Sequence, residues 1–235
     1  ARQVVEQTNL LEERYKSHTE TRELFSVSSQ HYAFVVNAFV SLLKRADMTR
    51  YELFLRETRT YEIIEDVKNF RSEIGVLFLN SYNRDVLTKM FDDNRLTYTS
   101  LFKARPHIFV SKSNPLAKHE VVSLEDLEEF PYLSYDQGIH NSFYYSEEIL
   151  SQIPHKKSIV VSDRATLFNL LIGLDGYTIA TGILNSNLNG DNIVSIPLDI
   201  DDEIDIVYLK HEKATLSKMG EKFLDNLVKE VTFDN

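Results

Sequence analysis

The sequence predicts an α/β protein of two Rossmann-like lobes separated by a central cleft, and three observations predict it. Short apolar runs alternate with amphipathic helical stretches along most of the chain, the pattern of parallel α/β units. The stretch 73–79, EIGVLFL, is almost continuously apolar, as expected for a strand covered by helices on both faces. The length of 235 residues allows one large domain or two lobes of about 100 residues each. Ligand sites in such folds form outside the carboxyl ends of the strands, so two lobes leave a cleft between them.

Each element follows from local pattern. Residues 2–15 carry Val5, Leu10 and Leu11 among polar residues without Pro or Gly, a helical lead-in. A first strand over 24–27 stops at Ser28 and Ser29, both good helix N-cap types. The helix over 30–45 is apolar around more than one face, so one face meets a sheet and the other needs a second cover, for which a partner subunit is a candidate. A second strand over 51–56 leads through Thr58, Arg59 and Thr60 to a helix over 61–70 with Ile63, Ile64 and Val67 inward. Further strands are expected at 96–103, 107–111, 132–135, 158–161, 177–180, 193–196 and 204–209. Ser123 and Asp126 fit a capping box ahead of a short helix that Pro131 closes. The last helix, from about Leu216, places Met219, Phe223, Leu224, Leu227, Val228 and Val231 on one stripe.

Composition narrows the function. The formal net charge of −10 opposes binding to a phosphate backbone, whose affinity comes from clustered Lys and Arg. No apolar run is long enough to span a bilayer, and residues 1–16 lack the apolar centre of a secretory signal, which makes the cytoplasm the expected location. The chain has no Cys, so no disulfide framework and no thiol switch is available. Its seven His never fall at metal-ligand spacing, and its seven Gly form no phosphate loop, so neither metal nor cofactor is expected. Gly176 reads as relieving a tight turn.

The most informative polar cluster is Ser28, Ser29, Gln30 and His31, where a strand ends and a helix begins. Free amides and the helix dipole there favour an anion, while the plainer reading has the serines capping the helix. Thr58, Arg59 and Thr60 hold the equivalent place after the second strand, and Asp163 with Arg164 begins a later helix. His31 or Arg59 would complement a negative ligand.

Four blocks resemble the effector-binding domain of LysR-type transcription regulators over essentially all of 23–231. They are RELFSVSSQHYAFVVNAFVSLLKR; YELFLRETRTYEIIEDVKN with EIGVLFL; LTYTSLFKARPHIFVSKSNPLAKHEVVSLEDLEEFPYLSYDQG; and SIVVSDRATLFNLLIGLDGYTIATGIL. Two departures stand out: Gly182 replaces a proline usual in the family, and Gly173-Leu174-Asp175-Gly176 replaces its Ala-Gly-x-Gly. The resemblance implies a type 2 periplasmic-binding-protein-like fold. It assigns residues 1–20 to the end of a linker helix, 21–104 with 210–235 to lobe I and 105–209 to lobe II. It places effector contacts at Ser28, Ser29, Gln30, Thr58, Thr60, Tyr135 and Asp136, to which Thr181, at a strand end facing the same cleft, is added. Hydroxyl and amide donors of this kind suit a small polar or anionic metabolite.

The resemblance further implies a homodimer pairing 34–43 of lobe I with 167–171 of lobe II, a tetramer for the full-length regulator, and DNA contact only through a separate winged helix-turn-helix domain. Absence of Cys argues against the family's peroxide-sensing branch. Two rivals remain: an extracytoplasmic solute-binding protein of the same fold, and a small α/β enzyme using His31 or Asp136, for which no activated pair is apparent.

Overall fold

The computed structural model describes residues 23–45, 51–184 and 191–232; the lead-in helix and linker expected within 1–20 lie outside the described residues. Among the described residues ten strands form two five-stranded sheets. The first sheet combines β1 (Glu23–Ser29), β2 (Tyr51–Glu57), β3 (Ile74–Leu79), β4 (Leu96–Ala104) and β10 (Ile204–His211) in the order β2-β1-β3-β10-β4. The second combines β5 (His107–Ser111), β6 (Tyr132–Tyr135), β7 (Ser158–Val161), β8 (Tyr177–Ala180) and β9 (Ile193–Pro197) in the order β7-β6-β8-β5-β9. The chain crosses from one sheet to the other after β4 and returns after β9.

Both sheets are mixed rather than wholly parallel. In the first, β1 runs parallel to β2 and β3, whereas β10 is antiparallel to β3 and β4. In the second, β6 is parallel to β7 and β8, while β5 is antiparallel to β8 and β9. The sequence reading assigned 204–209 to lobe II, and β10 overturns that boundary. Ile204, Ile206, Val207 and Leu209 are all buried, and only a place inside a sheet covered on both faces satisfies side chains pointing both ways.

Among the described residues five α-helices complete the lobes: α1 (Ala33–Arg45), α2 (Thr60–Lys68), α3 (Arg84–Asp93), α4 (Arg164–Leu174) and α5 (Lys218–Thr232). On one face of the first sheet α1 and α5 lie side by side, with Phe25, Phe39 and Phe223 in ring contact at 5.4–6.4 Å. On the other face Ile63, Ile64, Val67, Leu87 and Phe91 meet Leu77, Leu79, Val207 and Leu209. Full burial of such side chains contributes roughly 1.5–3 kcal/mol each. Leu167 and Leu171 of α4 fill the core of the second lobe, while Phe168, Asn169 and Leu170 between them are at least part-exposed.

Local chemistry sets the element ends. Asp163 caps α4 by accepting from the Thr166 amide at 2.8 Å. Glu73 supports the start of α5, where the Ser217 amide donates to Oε1 at 2.6 Å and the Ser217 hydroxyl to Oε2 at 2.9 Å. The Ser123–Asp126 capping box forms as expected: the Ser123 amide donates to Asp126 Oδ2 at 2.9 Å, and the Asp126 amide reaches Ser123 Oγ at 3.4 Å. At the end of α4 the left-handed residue is Asp175 (φ 50°), not Gly176. Gly176 instead permits close approach, since a Cβ there would lie 3.0 Å from the Pro131 carbonyl oxygen. Gly182, with φ +81°, holds a conformation closed to proline, which accounts for its departure from the family's usual residue.

Gly75 lets α2 settle on β3: a Cβ there would stand 2.8 Å from Ile63 Cγ2 and 2.9 Å from Val67 Cγ2. Both neighbours are fully packed, so Gly75→Ala overfills the interface. We expect a loss of about 1–3 kcal/mol, read as a lower urea midpoint with an unchanged slope.

Candidate functional site

The carboxyl ends of β1, β2 and β6 converge between the lobes. Past Ser29 the Gln30 amide still donates to the Val76 carbonyl at 3.1 Å, and its buried side chain becomes a junction. Gln30 Nε2 donates to Thr60 Oγ1 at 2.6 Å, while Oε1 accepts the Tyr32 hydroxyl at 2.6 Å and the Phe78 amide at 3.0 Å. These bonds carry the chain past 30–32 in extended form. Helix α1 therefore begins at Ala33 rather than at Gln30, and Ser28 and Ser29 end a strand without capping it.

Lobe II side chains meet the extended segment ahead of α1 and the start of α2. Glu147 Oε2 accepts the His31 amide at 2.8 Å and faces His31 Nδ1 at 2.9 Å. Gln137 Oε1 accepts the Thr60 amide at 3.2 Å, and its Nε2 donates to Glu147 Oε1 at 3.1 Å. At the rim Arg59 pairs with Asp136 and donates Nε–H to the Asp136 carbonyl at 3.1 Å. Arg164 pairs with Glu57 at 3.0 Å. Aromatic contacts add to the closure, with His31 stacked on Tyr135 at 4.1 Å and Tyr61 on His140 at 3.5 Å.

Behind these bridges lies a cavity of about 50 Å³. Its walls include His31, Tyr32 and Phe34 from lobe I, and Tyr135, Glu148, Phe168 and Thr181 from lobe II. Electrostatics there are uneven. Burial lowers the His31 pKa, but hydrogen bonding to Glu147 and its charge more than compensate, so the net direction is upward. Glu148 is held well above the usual carboxylate range, chiefly by burial and then by the Glu147 charge, against which the Tyr135 amide works. Asp136 is held low by the Gly138 amide and Arg59, burial opposing them. Among the described residues no group of His, Cys, Asp and Glu could hold a metal ion, and no helix is long and apolar enough to cross a membrane.

Residues 28–232 match the family described as the LysR substrate binding domain. The chain belongs to that family. Solved relatives share the fold: a LysR family transcriptional regulator of Pseudomonas aeruginosa is 14% identical with a TM-score of 0.59, covering 98% of this chain and 78% of its own. The effector binding domain of QuiR, in complex with shikimate, is 15% identical with a TM-score of 0.58, over 89% of this chain and 97% of that one. The reduced OxyR regulatory domain of Pseudomonas aeruginosa is 11% identical with a TM-score of 0.63, over 88% and 98%. Comparison with curated protein sequences gives no match. The family is that of the effector-binding domain of LysR-type regulators, so the solute-binding alternative gains no support.

Within this LysR domain the eight residues expected to touch effector take different places. Tyr135 and Thr181 line the cavity. Ser28 turns into lobe I, bonding Asp66 at 2.6 Å and Ser72 at 2.7 Å. Ser29 is buried and its Oγ has no partner. Gln30 and Thr60 bond each other, Thr58 donates its amide to the Ser29 carbonyl at 2.8 Å, and Asp136 is taken up by Arg59. Glu147, Glu148, Gln137 and Tyr32 were absent from the expectation. A Glu-Glu pair after FYYS reads as a solvated run, and nothing in its spacing announces burial. Arg164 starts α4 as expected and also reaches across the lobes.

The His31–Glu147 contact gives this LysR domain a testable pH dependence. A histidine whose folded pKa is raised contributes stability that is fully present below the unfolded value of about 6.5 and lost as pH rises through the raised value. His31→Gln should therefore cost about 1–3 kcal/mol near pH 5.5, and the difference from wild type should shrink as pH climbs above neutrality. Urea unfolding across that range measures it; a constant difference would remove His31 protonation as its source.

Proposed function

We propose that the domain captures a small-molecule effector between its lobes, leaves it chemically intact, and passes the capture to DNA-binding arms as a change of interlobe angle. The observation that carries this reading is the cavity between two lobes that touch through polar, individually breakable contacts: His31–Glu147, Gln137–Thr60, Arg59–Asp136 and Arg164–Glu57. Neither lobe alone encloses a ligand there. An effector bound by both shifts the angle by its differential affinity for the two arrangements, and a swing from 1:99 to 99:1 needs about 5.5 kcal/mol of it. The QuiR domain in complex with shikimate supplies a precedent in this fold for a bound small molecule.

DNA contact belongs, in this reading, to a winged helix-turn-helix domain acting in the cytoplasm, because the net charge of −10 disfavours phosphate binding here. LysR-family regulators bind small effectors and act as oligomers. The dimer proposed for this chain pairs the outer face of α1, with Val36, Val40 and Leu43, against the exposed side of α4, where Ile172 is 44% and Leu174 48% exposed. The family's tetramer would follow in the full-length regulator.

Two measurements test these statements. A metabolite screen by thermal shift should yield a compound that raises the melting temperature, since ligand at 100 times Kd adds about 2.7 kcal/mol. Tyr135→Leu and Thr181→Val should each reduce that shift, and an undiminished shift in both would move the site elsewhere. In sedimentation at micromolar concentration the domain should run as a dimer and Ile172→Glu as a monomer; a dimeric Ile172→Glu would refute the α1–α4 pairing.

A further inference from the structure

Around the interlobe cavity one carboxylate has no cationic partner. Glu147 and Glu148 line it together with His31 and Arg164. His31 faces Glu147 at 2.9 Å and Arg164 faces Glu57 at 3.0 Å. Glu148 is left over. It is 3% exposed, its Oε1 accepts the Tyr135 amide at 3.0 Å, and its Oε2 accepts no hydrogen bond. A buried acceptor without a donor is costly, and such a group in a cavity wall marks where a ligand's donor belongs.

An anionic ligand fits these walls poorly. The His31 amide, in the extended segment ahead of α1, already donates to Glu147 at 2.8 Å. A second anion would stand beside Glu147 and Glu148 with both local cations engaged. Aromatic faces supplied by Tyr32, Phe34, Tyr135 and Phe168 suit an apolar body, and an ammonium group gains further from ring quadrupoles. The cavity of about 50 Å³ has room for roughly three to five water-sized groups at about 10–15 Å³ each.

We propose that the effector of this domain is a small apolar amine whose ammonium group donates to Glu148 Oε2. The proposal rests on the effector-sensing reading above and gives that site its ligand class. The groups facing Glu148 are Glu147 beside it, Tyr32 from lobe I, and Tyr132 and Tyr135 from β6. Burial and the Glu147 charge raise the Glu148 carboxyl well above the usual carboxylate range. An ammonium donating to Oε2 opposes that shift, because an opposite charge in contact favours the ionised carboxylate.

Three probes of one carbon skeleton separate the headgroups: 1-propylamine, 1-propanol and propionate, titrated into the 235-residue domain and followed by amide NMR. Propylamine should shift the Tyr135 and Glu148 amides at about tenfold lower concentration than propionate, and Glu148→Gln should erase that preference, as loss of one charge-assisted bond predicts. Should Glu148→Gln not fold, the wild-type protein gives the second reading: propylamine should shift the two amides at lower concentration than uncharged 1-propanol. Propionate binding as well as propylamine, an unchanged preference in Glu148→Gln, or propanol matching propylamine overturns the amine class. Silence from all three probes overturns it too. The sensing reading falls only if the metabolite screen is also blank.

Discussion

The Glu147 carboxylate is the contact on which the arrangement of the two lobes depends. It accepts the His31 amide and the Gln137 side chain and faces the His31 ring, so one group from lobe II holds the extended segment ahead of α1 and fixes Gln137 against the start of α2. The positive end of a helix dipole attracts a carboxylate from whatever source is near. Here the source is the chain itself. Tyr135 stacks on the His31 ring, and the rim pairs Arg59–Asp136 and Arg164–Glu57 lie to either side of the same contact.

Closure of this kind is polar and shallow. The Arg59–Asp136 pair is part-exposed and contributes little by itself, as surface ion pairs do. The His31–Glu147 pair is buried, with each side chain under a tenth exposed, and losing one member strands the other. Hinge strength is therefore concentrated in one buried pair and spread thinly elsewhere. A ligand of modest affinity can shift such a balance, whereas lobes fused through an apolar core would resist it.

Most of the fold was legible in the sequence because strand boundaries depend on local pattern. The strands 107–111, 132–135, 158–161 and 177–180 coincide with their apolar runs residue for residue. Sheet membership was less legible, since the apolar run of β10 reads alike in either lobe, and only the long-range partners β3 and β4 place it. Site residues were legible as a neighbourhood but not as roles. Ser28, Ser29, Gln30, Thr60, Tyr135 and Asp136 do gather at the interlobe region, yet alternation along β1 turns Ser28 into lobe I, and Gln30 spends its amide on three internal bonds. Glu147 and Glu148 were illegible, because burial of an acidic pair is decided by residues far away in sequence.

That last point changes what an effector must do. A domain whose His31 amide were bare would bind a carboxylate by filling it, and affinity would come from new bonds alone. In this domain a carboxylate aimed at that amide must first displace Glu147, exchanging one carboxylate for another at little net gain, with Glu147 left to find water. The unsatisfied demand lies a residue further on, at Glu148, where the cavity offers an acceptor and aromatic walls. Selectivity then follows from which polar group the folded chain has left without a partner, a property of the closed arrangement that parting of the lobes would abolish.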